Sequence, residues 1–143
     1  MASVIPGIDH CFVVHENSDM ASVIKEIDAA DVILFAVIPS SDVSALSTDN
    51  YHEIDSVFCF VVKKNDRGNL THEEFLDNLN STQLIMVSLK HKLIEMAADT
   101  EHLTPYSHML HELMLSTMHT DPEYNLLGCD GWSLSFKLKT EGV

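Results

Sequence analysis

The sequence has few positive charges. Only eight Lys and Arg residues stand against 22 Asp and Glu residues in a chain of 143, so the formal net charge is −14. Binding to a phosphate backbone or to an anionic membrane surface depends on clustered cations, and this composition argues against both. We interpret the acidic surface as a solvated one that favours solubility, or as a face that docks a basic partner protein.

The chain also lacks any apolar run of the roughly 18 residues that a membrane-spanning helix requires. Residues 1–7 have neither the basic start nor the apolar stretch of a secretory signal peptide. The three cysteines, Cys11, Cys59 and Cys129, form no Cys-x-x-Cys pair, which favours a reducing compartment. Cys11 and Cys59 fall in apolar runs, where free cysteine behaves as a small hydrophobe, whereas Cys129 is expected in a loop. We therefore expect a cytoplasmic protein.

Motifs of the common enzyme classes are missing. No Gly-x-Ser-x-Gly elbow, Walker loop, Gly-x-Gly-x-x-Gly fingerprint or His-Glu-x-x-His zinc motif occurs. The segment Lys63–Phe75 imitates a calcium loop, but Lys63 and Arg67 replace two of the carboxylate ligands that such a loop uses. We predict no enzymatic activity, no cofactor, no small-molecule substrate and no calcium site.

Histidine is plentiful, with nine residues in the chain. His108 and His111 are three residues apart, so on a helix they are close enough to share a metal ion with His102 or His119. On a strand the same two side chains would point to opposite faces, and the site would not form. The alternative is a set of surface and half-buried histidines without a shared ligand. We favour that alternative and predict no metal site.

The apolar segment Val57–Val62 organises the rest of the chain. With Ile54 nearby, it consists mostly of β-branched and aromatic residues, which strands favour. A short apolar run between polar signals indicates a strand that is covered on both faces. A turn signal follows at Asn65–Gly68. We predict that Ile54–Lys64 is the central strand of one sheet.

The segments before it predict a strand, a helix and a second strand. Ile8–His15 is the first strand, and Val32–Ile38 is the second, ended by Pro39. Between them a helix begins near Asn17 or Ser18 and ends at Asp31; its apolar residues recur at helical spacing and are Met20, Val23, Ile24 and Ile27. Ser40–Asn50 is polar and short-chained, which predicts a surface loop.

After the central strand, Thr71 and Glu74 match a capping box at the start of a helix that continues to about Ala98. Its expected core residues are Phe75, Leu76, Leu79, Ile85, Leu89, Leu93 and Met96. Asn80–Thr82 interrupts this pattern, so we expect either a kinked helix or a short helix followed by a long one.

Residues 105–119 fit either a helix or a strand. The final segment Gly131–Lys139 alternates apolar and polar residues, which predicts a strand with one buried and one wet face. Such a strand needs an antiparallel neighbour, so we favour a strand for 105–119, joined to it through Asp121-Pro122 and Gly128–Gly131. The whole chain, 1–143, is then a single α+β domain, with a mixed or antiparallel sheet of about five strands and two main helices on one face.

The C-terminal residues Asp121–Asn125 and Gly128–Thr140 resemble the ending of small phage and prophage virion proteins of the tail-terminator or tail-completion type. The order of the elements is similar too, although such proteins often begin with a longer amphipathic helix. The resemblance carries no catalytic motif. It implies a non-enzymatic structural subunit that closes or joins a tail or neck by forming a ring, in the bacterial cytoplasm or in the virion. Its partners would be copies of itself or other virion proteins.

Ring formation needs a heterologous interface, for which sheet edges and protruding loops are suitable. On this hypothesis Ser40–Asn50 and the last strand supply the interface, and an acidic tail tube lets DNA pass without binding it. The competing hypothesis is an intracellular adaptor domain whose acidic surface binds a basic protein.

Overall fold

A computed structural model describes residues 5–15, 17–47, 50–65, 71–98 and 113–141. In these residues five strands form one mixed sheet in the order β1-β2-β3-β5-β4, with two helices. The elements are β1 His10–Val14, α1 Asn17–Ile24, β2 Val32–Ser47, β3 Asn50–Lys64, α2 His72–Ala97, β4 Leu113–Leu126 and β5 Cys129–Glu141. This arrangement confirms the predicted α+β class and the five-stranded sheet.

Strand β3 lies at the centre of the sheet and pairs antiparallel with both β2 and β5. Because side chains alternate along a strand, Cys59 and Val61 point into one apolar cluster while Phe60 and Val62 contact another. Val61 and Val62 are fully buried, whereas Phe58 is about half exposed. The prediction of a central strand covered on both faces is confirmed for the segment from Cys59 to Val62.

The two helices cover opposite faces of the sheet, so the prediction that both lie on one face is wrong. Helix α2 packs against the face that contains Leu34 and Val61, and α1 packs against the face that contains Ile33 and Val62. Strand β1 is parallel to β2, and β3 is parallel to β4 because each is antiparallel to β5. The β1–β2 pair and the β3–β4 pair run in opposite directions, but in both the chain moves from the β1 edge of the sheet towards the β4 edge. If both crossover connections are right-handed, their helices α1 and α2 therefore lie on opposite faces of the sheet.

Helix α1 ends at Ile24, earlier than the predicted end at Asp31, and Lys64 binds this end. The Lys64 ammonium donates hydrogen bonds to the carbonyls of Ile24 (2.7 Å) and Ile27 (2.5 Å). A cation is favourable there because the last carbonyls of a helix carry partial negative charge. The backbone N–H of Lys64 also donates to the Asp31 carbonyl (3.2 Å), so the end of β3 fixes the whole connection from α1 to β2.

Residues 40–47 and 50, which belong to the predicted surface loop Ser40–Asn50, are strand residues instead, and residues 48 and 49 lie outside the described residues. Strand β2 continues to Ser47, and Ser47 pairs with Asn50 of β3. Pro39 lies in an irregularity of the pairing with β3, between Val37 and Ser40, and β1 pairs with β2 only as far as Val37. A proline that lacks a backbone N–H is tolerated at such a site, and therefore Pro39 does not end the strand.

Helix α2 is continuous, so the predicted interruption at Asn80–Thr82 does not occur. The buried Thr82 hydroxyl donates back to the carbonyls of Asn78 (2.7 Å) and Leu79 (3.1 Å), which satisfies it inside the helix. The capping residue is confirmed, because the N–H of Glu74 donates to the Thr71 hydroxyl oxygen at 3.2 Å. Five residues form the buried side of α2: Thr82, Met86, Leu89, Leu93 and Met96.

Strand β4 confirms the strand interpretation for Leu113–His119, while 105–112 lie outside the described residues. The strand does not turn at Asp121-Pro122 as expected but continues to Leu126, because a proline is accommodated on the edge of a sheet. The turn to β5 consists of Leu127 and Gly128, which both have positive φ, 54° and 85°. Two positive-φ residues between paired strands are typical of a tight hairpin whose twist matches the sheet.

Gly131 of β5 is buried where the backbones of β5 and β3 come unusually close. A Cβ atom at this position would lie 2.0 Å from the Val61 carbonyl oxygen and 2.8 Å from the Val62 Cα. Both obstacles are backbone atoms of the central strand, which cannot rotate away as a side chain can. Glycine is therefore required here by space.

We expect Leu127→Asn to stabilise the protein by about 1 kcal/mol, because leucine is strained at positive φ and asparagine tolerates it. Equilibrium urea unfolding measures the change. The matched control is Leu115→Asn, the same replacement at an exposed β4 residue for which no positive φ is found. Equal effects of the two variants would show that the turn conformation is not the cause.

We expect Gly131→Ala to destabilise the fold by about 3 kcal/mol or more, because the new methyl group collides with the β3 backbone. Gly128→Ala is the control: it has open space around the Cβ position but a positive φ, so its loss should be about 1 kcal/mol. Thermal and urea unfolding of both variants test the difference. Similar losses would contradict the close approach of β5 to β3.

Candidate interaction surface

The histidines named as metal-ligand candidates are not brought together by the part of the chain that the structure describes. His119 lies in β4 with its Nε2 atom 3.0 Å from the Asp121 carboxylate, and both side chains are largely exposed. His102, His108 and His111 lie outside the described residues. Among the residues that are described, no group of three His, Cys, Asp or Glu side chains is arranged to hold a metal ion.

Two of the three cysteines, Cys11 and Cys129, occupy different environments from those the sequence predicts. Cys11 in β1 is exposed, although its apolar surroundings in sequence favoured burial. Cys129 is the first residue of β5 and is fully buried, so its expected place in a loop is wrong. Cys59 is buried as expected; burial, with a smaller contribution from Cys11, raises the pKa of its thiol to about 12. At neutral pH Cys59 is therefore protonated and unsuited to act as a nucleophile.

A buried polar network joins the start of β5 to α2. The fully buried Asp130 carboxylate accepts a hydrogen bond from the side-chain amide of Asn65, whose own carbonyl oxygen accepts one from Asn78 (2.7 Å). The Trp132 indole N–H donates to the Leu79 carbonyl at 2.9 Å. The Asn65–Asn78 and Trp132–Leu79 contacts fix α2 on the sheet, and the Asn65–Asp130 contact joins the end of β3 to β5; buried polar groups need such partners to be stable.

Large apolar side chains remain exposed on several elements. They are Val13, Ile38, Phe58, Leu76, Leu84, Ile94, Leu115, Tyr124 and Leu127. Single exposed apolar residues are normal on protein surfaces, so only a contiguous group indicates a binding site. Three of them, Leu76, Leu84 and Ile94, belong to α2.

The α2 residues Leu76, Leu84 and Ile94 lie on one side of the helix, about opposite the buried side that Met86 and Leu89 mark. With 3.6 residues per turn, Leu76 and Ile94 share the same direction, and Val87 projects between them and Leu84. Leu84 is 71% exposed and Ile94 is 37% exposed. We call this surface the outer face of α2; it consists of Leu76, Asn80, Leu84, Val87, His91 and Ile94.

The six residues of the outer face of α2 include no acidic residue in a chain of net charge −14, although Asp77 and Glu95 project within about 20° of Leu84 and so border the face. The acidic residues of α2 are Glu73, Glu74 and Asp77 near its start and Glu95 near its end. Between them the only charged residues are Lys90 and Lys92, with His91 beside them. An uncharged apolar strip on an otherwise acidic protein indicates an interface, because burying it against another protein leaves no unpaired carboxylate behind.

Sequence reasoning missed this surface because it assigned Leu76 to the core, together with Phe75 and Leu79. Leu76 is 43% exposed instead. The signal was present in the spacing: Leu76, Leu84 and Ile94 fall outside the helical period of the buried residues. A helix that is apolar on two sides predicts a second packing partner.

Comparisons with protein-family models, with curated proteins and with solved structures found no match to this chain. The surface described above therefore has to be interpreted from its own chemistry. Neither α1 nor α2, the two helices of the described part, is long and apolar enough to cross a membrane.

We expect a single thiol, that of Cys11, to react in the native protein at pH 8. Cys59 should stay unreactive, because burial raises its pKa to about 12 and keeps the thiolate out of reach, and Cys129 should be protected by burial. Counting thiols with a chromogenic disulfide reagent, before and after denaturation, tests this. A Cys11→Ser variant should lose the native reaction entirely, and fast labelling of a second thiol would contradict the buried positions.

Proposed function

We propose that this protein is a non-enzymatic structural subunit that acts by assembling with copies of itself. The observation that carries the proposal is the outer face of α2, where Leu76, Leu84 and Ile94 are exposed and no carboxylate interrupts them. Fully burying a leucine contributes roughly 2 kcal/mol, so a few such contacts are enough for a measurable association. Copies with a charge of −14 repel one another, and an uncharged face is where that repulsion is weakest.

The proposal extends to the place of action, a phage or prophage tail or neck. Its support is the resemblance of the C-terminal stretch, which forms the end of β4 and most of β5. A ring subunit of this class would have an acidic surface beside the passing DNA, which prevents the DNA from binding. If the genes on either side encode tail or capsid parts, this part of the proposal gains support; a neighbourhood of unrelated metabolic genes would count against it.

The alternative, an adaptor that binds a basic protein, would use the carboxylates at the start of α2. Glu73, Glu74 and Asp77 are exposed there. On that hypothesis the protein alone stays monomeric and associates only when a cationic partner is added. Self-association of the purified chain therefore separates the two functions.

We expect the purified protein to form oligomers whose mass rises with concentration, and Leu84→Glu to shift the equilibrium towards the monomer by at least tenfold. A buried glutamate in the contact is unfavourable, while an exposed one leaves the fold intact. Because copies of this acidic chain repel, association should strengthen as salt is raised from low to physiological concentration. Sedimentation velocity and light scattering measure both effects.

The matched control is Val13→Glu on β1, because Val13 is 73% exposed and Leu84 is 71% exposed. If Leu84→Glu dissociates the oligomer and Val13→Glu does not, the outer face of α2 is the interface. The reverse result would assign the assembly to the sheet edge at β1. A wild-type chain that stays monomeric at every concentration would overturn the proposed function.

A further inference from the structure

We propose that the first half of the outer face of α2 binds a different surface of a second copy, on the part of the opposite sheet face that α1 does not cover. This inference rests on the proposed self-association and specifies its geometry. We call the second surface the open sheet patch; it consists of Val37, Ile54, Phe58, Ser135, Lys137 and Lys139. The contact is heterologous, because α2 and the patch lie on opposite faces of the sheet, and a ring is built from contacts of this kind.

The strand register places the members of the open sheet patch together. Side chains alternate along β3, so Phe58 points to the same face as Phe60, which packs against the cluster under α1. Phe58 itself is not part of that cluster and is 46% exposed. Its antiparallel partner on β5 is Ser135. The next residues of β5 on this face are therefore Lys137 and Lys139.

The open sheet patch concentrates positive charge in a chain that has only eight Lys and Arg residues. Lys137 is exposed, and its register partners are Ser56 on β3 and Met114 on β4. Lys139 lies opposite Ile54 on β3. Neither lysine has a carboxylate as its register partner, so both can pair with carboxylates of another molecule. The acidic residues that share this face by register lie outside the patch and are Asp42, Asp121, Glu123 and Glu141.

The first half of the outer face of α2 carries the opposite charges. Glu73 and Asp77 each project within about 20° of Leu84, and Leu76 lies beside them. All four side chains are exposed. When Leu84 is buried against another protein, the two carboxylates come to the edge of the contact, where they need cations as partners. The open sheet patch of a second copy supplies two cations beside an apolar surface, and this complementarity selects a second copy as the occupant.

The spacing of the charges matches on the two surfaces. Glu73 and Asp77 are four residues apart on a helix, which is about 6 Å along its axis. Lys137 and Lys139 are two residues apart on a strand, which is about 7 Å. With α2 lying along β5, Asp77 can therefore contact Lys137 while Glu73 contacts Lys139.

The same alignment brings apolar side chains together. Leu84 is about 10 Å beyond Asp77 along the helix, and Phe58 is about 7 Å beyond Lys137 along the sheet. The two side chains then differ by only about 4 Å in level, so they can be in contact. Physiological salt screens the repulsion between whole chains more than it screens ion pairs that are a few ångströms apart, so association still strengthens with salt.

Charge reversal tests the pairing. We would compare Asp77→Lys, Lys137→Glu and the chain with both changes by sedimentation velocity at physiological salt. Each single reversal places like charges together and should raise the dissociation constant about tenfold or more, whereas the double variant should return to within about threefold of the wild type. Asp77→Lys lowers the net negative charge, so weaker association of this variant cannot come from repulsion between whole chains.

The matched controls are Asp28→Lys and Lys25→Glu, which make the same changes of net charge at exposed positions after and near the end of α1. They should leave the dissociation constant within about threefold of the wild type. Circular dichroism of each variant confirms that its fold is kept. A double variant that associates as weakly as the single variants would overturn the inference.

Mixing the two single variants gives a second test. In the mixture the altered helix of one chain meets the altered sheet of the other, and their unaltered surfaces also match, so assembly should return although each variant alone is weak. A heterologous contact leaves one surface unused at each end of a pair, so the wild type should grow beyond a dimer. Assembly that stops at a dimer, or a mixture that stays dissociated, would contradict the pairing.

The experiment also separates this inference from the proposed function. Oligomers that neither single reversal weakens form through another surface, so the pairing fails and the proposed function stands. The same holds if Leu84→Glu dissociates the oligomer and Lys137→Glu does not, because the outer face of α2 then binds elsewhere on the second copy. A wild-type chain that is monomeric at all concentrations contradicts both.

Discussion

The burial of β3 from both sides is the constraint on which the rest of the fold depends. Cys59 and Val61 need a cover on one face, and Phe60 and Val62 need one on the other. A five-stranded sheet of this length cannot leave either face of its centre in water without losing several kcal/mol of apolar burial. Helices α1 and α2 therefore have to lie on opposite faces, and the two parallel crossovers put them there. The close approach of β5 to β3 at Gly131 fixes the position of β5. The hydrogen bonds from Lys64 at the end of β3 fix the end of α1.

Much of this fold could be predicted from local pattern. Three elements are identified by residues that are close together in sequence: β3 by the apolar run Val57–Val62, α2 by the cap at Thr71 and β5 by the alternation in Gly131–Lys139. The errors arose where tertiary context overrides local preference. A proline such as Pro39 ends a strand only where the neighbouring strand requires a backbone N–H donor at that position. The polar residues Asn80–Thr82 interrupt a helix only where the Thr82 hydroxyl has no carbonyl acceptor within the helix. Such conditions are set by strand pairing and by burial, which a single sequence does not display.

The side on which the helices lie was a different kind of error. It depends on strand direction and order, since β3 is separated from its parallel partner β4 by β5. The sequence indicates which residues form β4 and β5, but it does not indicate that β5 lies between β3 and β4 in the sheet. The candidate surface was missed for a related reason: Leu76 belongs to an apolar series in sequence, and only the packing of Met86 and Leu89 shows which series faces the sheet.

Charge links the fold to the proposed assembly. A chain of net charge −14 stays dispersed unless some surface is both apolar and free of carboxylates, because desolvating an acidic group without a partner is unfavourable. The start of α2 concentrates Glu73, Glu74 and Asp77 where the helix dipole favours them, and its second half carries Lys90 and Lys92. The acidic first turn suits the helix dipole, whereas the last turn has no basic residue and contains Glu95. Residues 78–89 of α2 carry no charge and include the exposed Leu84, so the proposed assembly can bury apolar area there without burying a carboxylate.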